Sequence, residues 1–89
     1  MNYEEMSKNA ICVEVDKYLS ADEDGSRPAF DYDNPDFWGW LMSHYAININ
    51  HYADGVEACH HNNNIRYSHC CENIGRAISI CYLKMMKAK

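Results

Sequence analysis

No apolar run in this chain approaches the roughly 20 residues that a membrane-spanning helix needs. Its opening residues, MNYEEMSKNA, have neither the basic start nor the apolar stretch of a secretory leader. The sequence therefore predicts a cytoplasmic protein. Positive charge is scarce, with 8 Lys and Arg against 13 Asp and Glu and a formal net charge of −5. A chain with a pI near 5.4 has no global attraction for phosphate backbones or anionic membranes, so direct binding to nucleic acid or membrane is not expected. A disulfide framework is also missing, because the 5 cysteines are odd in number and Cys70 and Cys71 are adjacent, a usage that fits a reducing compartment. The chain carries no glycine-rich phosphate loop, nucleophile elbow, H-E-x-x-H or dinucleotide fingerprint. The expectation is a protein that is not an enzyme and has no cofactor.

What is present is 89 residues, 47% of them hydrophobic and 12% aromatic, enough for one small domain. No repeat is visible, and the periodicity predicts an all-α, three-helix domain over 1–89. A first helix over about 3–19 opens on Asn2 and Glu5, spaced as a capping box, and carries Ile11, Val15, Tyr18 and Leu19 on one face. Alternation of Ile11, Val13 and Val15 offers a strand as the competing reading. Residues 20–34, with Gly25, Pro28 and many short polar side chains, read as a long acidic loop. A second helix over about 35–61 has Asn34 as N-cap, Pro35 in its first position and Asp36 at its positive dipole end. Its stripe is Phe37, Leu41, Tyr45, Ile49, Tyr52, Val56 and Cys59, with Asn48 as a polar registry position and Gly39 and Gly55 as points of kinking or close crossing. Asn62, Asn63 and Asn64 form a turn, and a third helix over about 65–87 carries Tyr67, Cys70, Ile74, Ile78, Cys81 and Met85, its lysines suiting the negative end. Helices two and three are then an antiparallel hairpin covered by helix one.

Three groups of residues have chemistry to offer. Cys59, His60, His69 and Cys70, with His61 and Cys71 beside them, flank the expected turn and hold the donor types that zinc prefers. Their spacing is neither a knuckle nor a finger, and neighbours on a helix point about 100° apart, so no metal site is assigned and a zinc- or thiol-dependent module is the alternative reading. Asp22, Glu23, Asp24, Asp31, Asp33 and Asp36 form an acidic cluster. An EF-hand beginning at Asp22 fails, because Arg27 occupies its glycine position and Asp33 its final glutamate position. On helix two, His44 and His51 stand about 10 Å apart along the axis, too far to share a metal.

Charge gives the leading expectation. Residues 21–36 hold six carboxylates and one arginine, whereas residues 65–89 hold five cations and one glutamate. An acidic segment interleaved with Phe30, Tyr32, Phe37, Trp38 and Trp40 is suited to a basic groove, with aromatics as anchors and carboxylates steering the encounter. Basic grooves belong chiefly to proteins that handle nucleic acids. The sequence thus predicts a small acidic protein-binding module, an inhibitor of a host nucleic-acid-processing complex of the anti-CRISPR or anti-restriction kind found in phage and mobile elements. The expected contact residues are Asp22, Glu23, Asp24, Asp31, Tyr32, Asp33, Asp36, Trp38 and Trp40. Ile80 and Leu83 fall off the third helix's stripe; if exposed, they form a partner surface or a homodimer contact, and the alternative is a third helix that is central and buried nearly all round.

Overall fold

Residues 3–22 and 30–88 are described by the structure, a computed structural model. After a 3-10 turn at Tyr3–Glu5, helix α1 runs over Lys8–Asp22. Its start is set by Ser7, whose hydroxyl accepts from the Ala10 N–H at 3.1 Å. The expected capping residue Asn2 lies outside the described residues. Ile11, Val15 and Leu19 are buried along one face while Val13 is 47% exposed, the pattern of a helix and not of the competing strand. Helix α2 begins as the sequence indicates, with Pro35 in its first turn and the Asn34 side chain accepting from the Asp36 N–H at 3.0 Å.

The all-α expectation is overturned from this point. Helix α2 covers only Pro35–His44 and is followed by Ala46 in the left-handed region, at a φ of 55°. Strands β1 (Asn48–Tyr52), β2 (Gly55–Asn62) and β3 (Ile65–Cys71) then form an antiparallel sheet in the order β1-β2-β3. The stripe assigned to a long helix was a coincidence of period. Ile49 and Val56 face the core, but Tyr52 and Cys59 lie on the opposite face, because a strand alternates sides at every residue. Two local signals decide for the sheet. Asp54-Gly55 follows the alternating Ile47, Asn48, Ile49, Asn50, a strong hairpin pattern. The asparagine run is a turn, but between strands: Asn63 and Asn64 have φ of 50° and 73°, the two positive values that a two-residue β-turn requires and that asparagine tolerates. Gly55 is needed for a different reason, since a Cβ there would sit 2.7 Å from the Cys71 carbonyl oxygen.

Helix α3 spans Ile74–Lys87, shorter at its start than the expected 65–87, and is capped by Asn73, which accepts from the Arg76 N–H at 2.9 Å. It is the centre of the molecule, packing against β2 and β3 on one side and α1 and α2 on the others. Ala77, Ile78, Ile80, Cys81, Tyr82 and Leu83 are all fully buried. A helix apolar on every side belongs inside. Ile80 and Leu83, expected at a partner surface or dimer contact, are therefore core residues: α3 is enclosed by four elements rather than paired with one.

The Arg76 guanidinium ties the pieces together. It donates to the carbonyls of Tyr3 at 2.9 Å and Met6 at 2.8 Å and to the Tyr32 hydroxyl at 3.4 Å. Among the described residues no helix is long and apolar enough to cross a membrane.

Candidate interaction surface

The segment leading into α2 is pinned at several points. The Phe30 N–H donates to both carboxylate oxygens of Asp16 at 3.1 Å, and the Asp33 carboxylate accepts from the Asn73 amide at 3.5 Å. Tyr32 is buried, so the expected contact residue is an anchor of the fold. Lys8 lies between Asp31 and Asp33, with its ammonium 3.0 Å from Asp31 and within ion-pair distance of Asp33. The Lys8 ammonium and the Asp33 N–H hold the Asp31 carboxyl below its usual range. Both carboxylates remain about half exposed, at 50% and 53%, but one cation already offsets part of their charge. Asp22 closes α1, and Glu23 and Asp24 lie outside the described residues.

Helix α2 divides the remaining candidates by face. Asp36 and Trp40 are four residues apart and both exposed, on the side that continues to Ser43 and His44. Trp38, two residues from each, turns inward and half-buries itself against the start of α3 beside Gly75. Trp40 keeps 40% of its surface exposed and stacks on His44 with ring centroids 4.7 Å apart and planes 12° from parallel. Tyr45 meets both rings edge-on. Gly39, beside Trp40, has open space where a side chain would project. The outer face of α2 thus shows a carboxylate, a bare stretch of backbone and a braced indole. Past His44 the surface dips into a groove of about 560 Å³ whose walls include Tyr45, His60, Ile65, Tyr67 and Met85.

The Cys/His cluster does not converge. Cys59 and Cys70 lie on the outer face of the sheet, whereas His60 and His69 lie on the face toward α3, because adjacent strand residues point opposite ways. No group of three metal-ligating side chains occurs among the described residues. Cys12, Cys59 and Cys81 are buried, and burial pushes the Cys81 thiol up to about 12. Thiolate chemistry has no support at these positions.

A polar cluster on the outer sheet face was invisible to the helical reading. Glu57, almost fully covered, accepts from the Asn50 amide at 3.2 Å and the Tyr52 hydroxyl at 3.2 Å and pairs with Arg66 at 2.7 Å. The pairing of Asn50 with Glu57 across the first hairpin, together with the pairing of β3 to β2 that carries Arg66, brings these residues together. The Asn50 hydrogen bond and the Arg66 ion pair hold the Glu57 carboxyl below its usual value of 4.5, against the opposing effect of burial. A carboxyl depressed in the folded state stabilises above its unfolded value, and that contribution disappears as the pH falls through the folded value. Thermal melting followed from neutral pH to well below 4.5 should therefore show stability falling on the acid side, and Glu57→Gln should flatten that part of the curve. Parallel curves for the two proteins would remove Glu57 from the acid response.

No family model, curated protein or solved structure is detectably similar to this chain. The reading of the surface therefore stands on its own geometry.

Proposed function

We propose that this protein is a binding module, not an enzyme, and that it docks the outer face of α2 and the acidic segment before it onto a basic surface of a partner protein. The observation that carries this reading is the placement of Asp36 and the braced, 40% exposed Trp40 one turn apart on a short capped helix. A large rigid aromatic can fill a pocket at little entropic cost, and the neighbouring carboxylates steer the approach. The net charge of −5 favours a basic partner. Within that class, the finer proposal is an inhibitor that occupies the basic groove of a nucleic-acid-processing complex, as anti-CRISPR and anti-restriction proteins do. The zinc alternative is not carried forward, since its four residues are split between two faces; the thiol alternative rests on the exposed Cys70 alone, burial raising the neighbouring Cys71 thiol.

The test is capture of a partner by wild type and by variants at rising salt. Trp40→Ala should weaken capture by about 2 kcal/mol, roughly 30-fold in affinity. Asp36→Lys should weaken it and flatten its salt dependence. Asp54→Lys, in the β1–β2 turn, serves as the control that should change little. A partner retained equally by the Trp40 and Asp36 variants would overturn the assignment of this face.

A further inference from the structure

The sheet has two edges, and the fold treats them differently. Each hairpin closes with a two-residue connection, Ala53-Asp54 between the paired Tyr52 and Gly55, and Asn63-Asn64 between Asn62 and Ile65. In such hairpins the closing pair exchanges hydrogen bonds, and bonded pairs alternate along the ladder. Arg66, Ser68 and Cys70 of β3 therefore direct their backbone groups away from β2. On that edge the Ser68 carbonyl is taken, accepting from the Lys84 ammonium at 2.7 Å. On the other edge Asn48, Asn50 and Tyr52 turn toward β2, and Ile49 and His51 present their N–H and C=O groups outward.

Edge strands in natural proteins are guarded by lysine, proline, bulges or a covering helix. Strand β1, Asn48-Ile49-Asn50-His51-Tyr52, has no lysine or proline, and its register with β2 is unbroken. The helix packing on the sheet runs through β2 and β3, leaving four of its five residues exposed. We infer that β1 is the self-association edge of this protein, pairing antiparallel with β1 of a second copy about a twofold axis at Asn50.

The register follows from which groups point away from β2. Centred on Asn50, it sets Ile49 of each copy against His51 of the other, so the outward N–H and C=O groups meet in four reciprocal bonds. On the outer face Asn48 meets Tyr52, which is 56% exposed in the single chain, and Asn50 meets its own copy. Symmetry selects the occupant, since the two outward positions, Ile49 and His51, lie one on each side of Asn50 and a twofold copy satisfies both. Each molecule carries a net −5, yet β1 has no formally charged side chain, and the register opposes no like charges. A second copy is thus the partner whose strand chemistry matches this edge, and the two sheets become one of six strands. The contact is small, so association is concentration-dependent.

Sedimentation across a dilution series up to about 1 mM should show growth from one chain to twice the 10.3 kDa chain mass. Added salt should preserve or strengthen the dimer by screening the repulsion between acidic copies, the opposite of its effect on docking through α2. His51→Pro removes an outward N–H without touching a bond to β2, and should weaken association about 30-fold or more while melting remains cooperative. In a Cys59→Ala, Cys70→Ser background, which removes the thiol beside both positions, Asn50→Cys should form an oxidised cross-linked dimer and Asn48→Cys should not, because only position 50 faces itself. A monomer at every concentration overturns the proposal. So does a dimer that survives His51→Pro or cross-links no better through position 50 than through position 48.

Discussion

Gly75→Ala is expected to destabilise the protein by about 3 kcal/mol or more, near or above the usual range for overpacking. A Cβ at this position would lie 1.8 Å from the Tyr32 carbonyl oxygen and 2.9 Å from Cδ1 of Trp38. The first obstacle is backbone, and the chain carrying it is held by Tyr32 and Asp33 contacts to α3 and its cap and by the Phe30 contact to α1. It has no cheap direction in which to retreat. Helix propensity pulls the other way by about 1 kcal/mol in favour of alanine, which a clash of this depth outweighs. Gly39→Ala supplies the contrast. Gly39 lies in the middle of α2 with nothing within 4 Å of the added carbon, so this substitution should stabilise by up to about 1 kcal/mol. Urea unfolding of both variants reads the two signs directly. For a domain near 90 residues, 3 kcal/mol corresponds to a melting shift of roughly 12–24 °C. Equal effects would mean that the segment over α3 is not packed as described.

The parts of this architecture that the sequence made legible were those with a local chemical cause. Asn34-Pro35-Asp36 marks the start of α2 because its cap, fixed φ and dipole charge all act within one turn. The buried face of α1 also shows in Ile11, Val15 and Leu19. The sheet was hidden because Ile49, Tyr52, Val56 and Cys59 fit a helical period while their neighbours fit alternation, and a short window cannot choose between them. Asp54-Gly55 and the asparagine pair carried the deciding information, the asparagines in the backbone angles they permit and Gly55 in the close approach of the Cys71 carbonyl. Trp40 and Asp36 share a face because α2 is a real helix, so that part of the candidate surface was readable at once. Tyr32 was not, since its burial depends on Arg76, 44 residues away. The Glu57 cluster likewise exists only through strand pairing.

Leu83→Ala is expected to cost about 2–5 kcal/mol, a large share of the roughly 4–13 kcal/mol available to a domain of this length. The side chain is fully buried in a helix enclosed by the sheet, α1 and α2, so its removal leaves a cavity that four surrounding elements cannot readily close. Had Leu83 been a contact residue on the surface, the same substitution would leave stability within about 0.5 kcal/mol of wild type and act on binding alone. Val13, apolar but 47% exposed on α1, is the appropriate comparison: Val13→Ala should change little. Ile80→Ala should behave as Leu83→Ala does, and the double variant should approach the limit of folding. Denaturant midpoints for these proteins therefore separate a central α3 from a peripheral one. A near-neutral Leu83→Ala would place the third helix at the surface and return Ile80 and Leu83 to the candidates for partner contact. A large loss confines recognition to the elements packed around α3, where the outer face of α2 and the edge of β1 are held in place by the same core.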